Sequence, residues 1–404
     1  ISQLNKGFKM NKNCLPFDIT PEIFLRDYWQ KKPLLIRNGL PEIIGQLLPD
    51  DILELAQTDE VVARLVKQHA EDHWELRKAP LSAQDFENLP EKWSVLVQNL
   101  EQWSPTLGAL WNKFSFIPQW QRDDIMVSFA PQGGSVGKHY DEYDVFLVQA
   151  YGHRRWQLGK WCDPTTEFKA DQPIRIFDDM GDIIFDEVLA PGDVLYVPSR
   201  LSHYGVAQDD CLTVSFGLRY PNSADLFENI EQSLCHTDLD VSELAIPFRL
   251  APPVQNTGEL TADSVKELKQ QFLQQLAQST QFDHLFQHAL ATTVSRRRYE
   301  LLATEDIANL DDVRETFEQG GKLLQDNNCK LVYTTSPLRL YANGEWLDEL
   351  SPAEAEILKH LADGKAVDYA FLCQLADADN TVSLDVLFDS VCNWLDDGWA
   401  LLYE

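Results

Sequence analysis

A chain of 404 residues, 44% hydrophobic and 24% charged, is long enough for about two or three domains with a substantial core. A formal charge of −30 at pH 7 repels phosphate backbones and anionic lipid, which argues against nucleic acid and membrane surfaces as direct partners. No run of ~18 apolar residues occurs. The seven scattered cysteines contain no C-x-x-C pair, against a disulfide framework or a structural zinc site.

The first twenty residues hold no apolar core before a small-residue cleavage site, so no secretory signal is read, and Met10 is a candidate start. The thiols suit a reducing, cytoplasmic setting and are expected to be buried small hydrophobes. Thr20 as N-cap and Pro21 at the first helical position predict a helix over 20–30. "KKPLLIRN" reads as a strand. Residues 51–114 read as mostly helical and loop-like, with Trp74, Trp93, Trp103 and Trp111 as apolar bulk. From Ile125 to Arg219 short strands alternate with turn signals, as in "IMVSF", "DVFLVQA", "RWQLG", "DVLYVP" and "LTVSFGLR", the spacing of a sandwich or small barrel.

Beyond residue 220 the texture is helical. Val265, Leu268, Phe272 and Leu276 form one face of an amphipathic helix after a loop over 251–261. "FDHLFQHALATTV" predicts a second helix, with Arg296, Arg297 and Arg298 at its C-terminal end. "LRLYANGEWLDEL" predicts a hairpin turning at Asn343-Gly344. "SPAEAEILKHLAD" opens with a capping pattern, and "LDVLFDSVCNWLDDGWALLY" reads as helix, turn, strand. Together these suggest a winged-helix-like module. Residues 304–404 hold 21 acids against 6 Lys and Arg, a net of −15 (6 − 21), which favours protein contact over groove binding.

The chemistry concentrates in "GKHYDEYDVFLVQAYGHRRW", residues 137–156. Side chains alternate along a strand, so His139 and Asp141 point to the same side and can reach one metal ion. "LAPGDVLYVPSRLSH" adds His203, 64 residues after His139 (203 − 139), as a third candidate ligand on a return strand. Two histidines and one carboxylate leave positions open for a bidentate co-substrate and dioxygen, which suits non-haem Fe(II). An arginine would then pair with the far carboxylate of a co-substrate such as 2-oxoglutarate. Arg154 and Arg155 lie on opposite faces, and alternation does not say which is inside. Thr213 and Ser215 share a small polar face of the last strand and are candidate contacts for an anionic ligand.

At these motifs the chain resembles the JmjC branch of the 2-oxoglutarate oxygenases: H-x-D, G-x-R-x-W, L-x-P-G-D-x-L-Y-x-P, then a histidine. "FLRDYWQKKPLLIRN" and "HYDEYDVFLVQAYGHRRWQLG" are similar to the ribosomal-oxygenase subgroup. The resemblance implies an α+β protein with a double-stranded β-helix (jelly-roll, cupin) catalytic domain and N-terminal helices over 1–220. A helical dimerisation segment would occupy 221–303 and a winged-helix-like domain 304–404. It implies His139, Asp141 and His203 as catalytic iron ligands, and it selects Arg154, two after Gly152, as the 2-oxoglutarate anchor. The implied reaction is hydroxylation of an arginine in large-subunit ribosomal protein sixteen. A basic ribosomal substrate accounts for the acidity, with Glu142, Asp144 or another rim acid on the target side chain.

Other readings compete. Histidine hydroxylation or lysine demethylation uses the same triad. A metal-binding cupin isomerase or binding protein explains the barrel without needing a buried arginine, and a non-catalytic scaffold explains only the acidity. The pairs His69/His73 and His284/His288 have helical i, i+4 spacing but lack the glutamate of H-E-x-x-H, so zincin chemistry is not supported. His153, His236 and His360 read as surface or core residues, Trp29, Trp93 and Trp111 as core, and Asp193 as part of its Pro-Gly turn.

Overall fold

The computed structural model describes residues 13–16, 18–71, 73–236, 242–249, 258–297, 308–378 and 382–403. They fall into two compact units that divide between Tyr220 and Pro221. The first unit carries eleven strands: β1 (Leu34–Ile36), β2 (Ala63–Ala70), β3 (His73–Lys78), β4 (Lys92–Val97), β5 (Arg122–Ala130), β6 (Val145–Tyr151), β7 (Arg154–Trp161), β8 (Phe185–Leu189), β9 (Val194–Val197), β10 (Leu201–Ala207) and β11 (Cys211–Leu218). An eight-stranded sheet runs β1-β9-β6-β11-β5-β4-β2-β3 and a three-stranded sheet β10-β7-β8. Every pairing in both is antiparallel.

β6 shows why the apolar run is unbroken. Val145 and Leu147 meet Trp156, Leu158, Leu189 and Leu201 of the small sheet. Phe146, Val148 and Ala150 face the opposite way into the main core with Phe114, Phe216 and Tyr196. Both faces are buried, as in a strand covered on each side. Helix α1 (Pro21–Asp27) seals that core with the fully buried Phe24, and Thr20 caps it by accepting from the Ile23 N–H. Short helices α2 (Pro49–Leu55), α3 (Leu100–Trp103) and α4 (Pro105–Ala109) complete the cover.

The region 51–114 departs from its helical reading, because β2, β3 and β4 lie within it and extend the large sheet. His69 and His73 accordingly sit on the two arms of a hairpin rather than one helix, and His69 Nε2 meets Glu75 Oε2 at 2.9 Å. Asp144 is not a rim acid either. It is fully buried, accepting from the hydroxyls of Tyr196 and Tyr220, the latter at 2.8 Å. Of the seven free thiols, Cys14, Cys162, Cys211 and Cys329 are buried, whereas Cys235 is exposed. Trp111 is buried, and Trp29 and Trp93 pack against the core only partly buried. Asp193 does hold its turn, accepting from the Ala190 N–H at 3.0 Å, and also pairs with Arg37 at 2.7 Å.

The second unit contains α5 (Ser223–His236), α6 (Ala262–Gln278), α7 (Thr280–Ser295), α8 (Leu310–Glu318), α9 (Pro352–Ala362), α10 (Tyr369–Ala378) and α11 (Leu384–Asp396). Its strands are β12 (Lys322–Gln325), β13 (Leu331–Thr335), β14 (Leu338–Ala342), β15 (Glu345–Leu347) and β16 (Ala400–Tyr403). The β14–β15 turn places Asn343 at φ 49 and Gly344 at φ 95, the left-handed pair a tight hairpin requires. Ser351 and Glu354 cap α9 reciprocally. α7 docks through His288, whose Nδ1 lies 3.0 Å from the Tyr341 hydroxyl, while His284, one turn earlier, is exposed. Arg296 is the C-cap of α7; Arg298 and residues 251–257 of the expected loop lie outside the described residues. No helix among the described residues is long and apolar enough to cross a membrane.

Candidate metal centre

The segment before β6 pairs with β10 through a two-residue bridge. The His139 N–H donates to the His203 carbonyl at 3.1 Å, and the His203 N–H to the His139 carbonyl at 2.8 Å. Asp141 follows two residues on, and its carbonyl accepts the Arg200 N–H at 2.7 Å. Backbone pairing thus brings together side chains that are far apart in sequence. Ligand atoms of His139, Asp141 and His203 lie within 4.8 Å of one another, the one such group among the described residues. His203 Nε2 stands 3.5 Å and His139 Nε2 4.0 Å from Asp141 Oδ2.

Tautomers follow from the partners. His139 Nδ1 lies 3.0 Å from the Gly137 carbonyl, and His203 Nδ1 3.0 Å from the Leu201 carbonyl. A carbonyl only accepts, so each Nδ1 carries a proton and each Nε2 is the ring atom left to face Asp141. Burial, with the charge of His139 adding to it, pushes the His203 pKa down to about 4, so its imidazole stays neutral at neutral pH. Two imidazole nitrogens and one carboxylate fit a divalent first-row metal.

Gly137 is fixed twice. It takes φ +86, and a Cβ there would stand 2.6 Å from Ile176 Cγ2. Ser135 Oγ accepts the Gly137 N–H at 3.1 Å, so the carbonyl that orients His139 is itself held.

Alternation on β7 puts Arg154, Trp156 and Leu158 inside and Arg155 and Gln157 outside. Arg155 spends its charge on Asp186 in a surface ion pair. Arg154 is 5% exposed and, among the described residues, faces no carboxylate: Nη1 donates to Ser128 Oγ at 3.0 Å and to Thr213 Oγ1 at 3.4 Å, and Nε has no hydrogen-bond partner there. An unneutralised buried guanidinium with an orphan N–H fits an anionic ligand. Thr213 in turn donates to Gln149 Oε1 at 3.0 Å. Ser215 lies on the same face opposite Met126 and Leu147 but makes no hydrogen bond to Arg154. The structure therefore brings the three candidate ligands together and seats Thr213 on Arg154, with Ser215 on the same strand face as Thr213. Near the ligands, Asp141 and then burial hold the Tyr143 hydroxyl far above its ordinary pKa, with Asp124 and Asp123 adding to the effect.

Residues 109–226 match the JmjC domain family and residues 269–400 the ROXA-like winged helix. A probable ribosomal oxygenase of Haemophilus influenzae is 63% identical over 394 residues, 96% of this chain and 98% of that protein. The chain belongs to the ribosomal oxygenase family. The ribosomal protein uL16 3-hydroxylase of Escherichia coli is 29% identical over 326 residues, covering 80% of this chain and 84% of that one. An X-ray structure of E. coli YcfD superposes with a TM-score of 0.75 at 28% identity, covering 94% of this chain and 97% of that one. A second YcfD structure, in complex with cobalt and 2-oxoglutarate, gives a TM-score of 0.73 at the same identity over 94% and 97% of the two chains. As a JmjC oxygenase the enzyme depends on Fe(II) and 2-oxoglutarate, on a cupin-type β scaffold with a C-terminal winged helix.

Several residues of this oxygenase site escape a reading by motif. Ser128 sits in "IMVSF", where Met126 and Ser128 alternate against Ile125, Val127 and Phe129, and the logic that singles out Thr213 would have found it. Gln149, Gly137 and Leu201 act through partners or carbonyls, which no local pattern reveals.

Proposed function

We propose that this oxygenase holds Fe(II) with His139, Asp141 and His203 and 2-oxoglutarate with Arg154, aided by Thr213 and Ser215. Its substrate is an arginine side chain of a large-subunit ribosomal protein, uL16 in the naming used for the E. coli relative. The observation that carries this reading is the pairing of two imidazole Nε2 atoms and one carboxylate with a buried, unneutralised arginine in one barrel.

When bound, Fe(II) supplies activation of dioxygen, coupled to conversion of 2-oxoglutarate to succinate and carbon dioxide and to insertion of one oxygen atom into a C–H bond. The chain's own residues orient and exclude. The Gly137 and Leu201 carbonyls fix the rings. Arg154 takes the distal carboxylate, and the Trp156–Leu158 wall keeps water from the inner face.

We further propose that 221–303 is a dimerisation segment and 304–404 a separate winged-helix-like domain. Phe227 and Leu234 on α5 and Val265, Phe272 and Leu273 on α6 are exposed apolar residues, and α6 buries none of its own, which supports a second copy as their cover. The net −15 of the last segment favours protein over nucleic acid contacts, and the substrate suits a cytoplasmic setting.

The deciding experiment is mass spectrometry of purified ribosomal proteins after incubation with enzyme, Fe(II) and 2-oxoglutarate. A gain of one oxygen on an arginine of uL16 is expected. Oxygen on a histidine, or loss of a lysine methyl group, would replace the target assignment. No modification, with no succinate formed, would overturn the reading.

A further inference from the structure

The register of β7 and β10 sets three rows on the inner face of the small sheet. Arg154 lies opposite Ala207, Trp156 opposite Gly205, and Leu158 opposite His203. The arginine and the histidine thus occupy the two end rows, about 13 Å apart along the strands at ~3.3 Å per residue. Trp156 fills the row between. Its ring centroid is 5.7 Å from the Arg154 guanidinium carbon and 6.0 Å from the His203 ring centroid.

Packing alone places that ring. Trp156 is 4% exposed and its Nε1 makes no hydrogen bond. Gly205 leaves it room, because a Cβ there would stand 2.7, 2.8 and 2.9 Å from Cη2, Cζ3 and Cζ2 of the indole. The backbone of Gly205 lies outside the left-handed region, so the glycine serves the ring rather than the strand.

We propose that Trp156, seated on Gly205, is a positioning residue that fixes the spacing between Arg154 and His203 and thereby selects a five-carbon 2-oxo dicarboxylate over its six-carbon homologue. The inference rests on reading Arg154 as the co-substrate anchor and His203 as a metal ligand. A dicarboxylate bridging metal and guanidinium has a set span, and one extra methylene adds ~1.3 Å, enough to spoil a charge-assisted pair with narrow distance limits. A mobile arginine would follow the longer ligand. Arg154 is held on one side by Ser128 and Thr213 and on the other by the indole, so it does not.

The test is calorimetric titration of the Co(II)-loaded full chain with 2-oxoglutarate and with 2-oxoadipate, for wild type, W156F, G205A and the double variant. Wild type should bind 2-oxoglutarate at least ~10-fold more tightly than 2-oxoadipate, and W156F should shrink that ratio at least ~5-fold. G205A should weaken 2-oxoglutarate at least ~5-fold, and the loss should largely vanish when W156F is already present, because the methyl acts only through the indole. A ratio unchanged in W156F, or a G205A loss of equal size with and without the indole, overturns the proposal. Co(II) affinity measured alongside should stay within ~3-fold in the single variants. Its collapse would mean that the ring merely supports His203, which also overturns length selection. Wild-type protein that takes Co(II) but neither acid would overturn the anchor assignment beneath it.

Discussion

Arg154 and Arg155 are neighbours in sequence and opposites in environment. Arg155 faces solvent against Asp186, where water and salt screen the ion pair. Arg154 is buried without a carboxylate, and hydrogen bonds from such a group to a ligand anion contribute roughly 2–3 kcal/mol. Arg154→Ala should therefore weaken 2-oxoglutarate binding roughly 30- to 150-fold and Arg155→Ala less than about 5-fold. Equal losses in a calorimetric comparison would show that the wrong arginine has been placed at the anchor. Gly137 offers a second test. Alanine there meets both the φ of +86 and Ile176, and shifts the carbonyl that orients His139. Gly137→Ala is expected to lower Co(II) affinity about 10- to 100-fold, the range for partners that orient a metal ligand. An unchanged Co(II) isotherm would deny the carbonyl that role.

Elements carry their own titration. Burial, with Arg339 nearby, holds His288 below its ordinary pKa of 6.5 where α7 meets β14. A base whose folded pKa is depressed lends stability above its unfolded pKa and withdraws it as pH falls below. The gap in unfolding midpoint between wild type and His288→Asn should be widest above about pH 7 and narrow as pH falls below about 6.5. A gap that is constant over that range, measured by circular dichroism, would remove His288 from the account. The hairpin at Asn343-Gly344 and the capped α9 were legible because turn and cap residues act locally. β2 was not. Ala63 and Leu65 enter the main core while Val66 joins Trp74, Leu96 and Ile176 on the other face, so period-two alternation is lost. The candidate triad was grouped by strand alternation, yet His139 lies at an isolated bridge and Asp141 outside any strand, and only backbone pairing with β10 brings His203 to them.

For the whole molecule, charge and exposed apolar area make separate claims. A net charge of −30 should draw a basic substrate by long-range attraction, which salt screens over ~8–10 Å. The KM for a Lys/Arg-rich uL16 peptide should rise several-fold between 50 and 300 mM salt, whereas 2-oxoglutarate affinity, read by buried Arg154, should move little. A peptide KM indifferent to salt would leave the acidity to solubility. The bridge between His139 and His203 has a further bearing, on biosynthesis. Both residues reach the candidate metal centre through each other's backbone, yet the chain emerges in order, and His203 follows Asp141 by 62 residues (203 − 141). The first two ligands leave the ribosome with no partner strand to hold them. On the proposed ligand set the site is complete only once β10 has been made and paired, so the chain passes the early part of its own synthesis with an unfinished iron site.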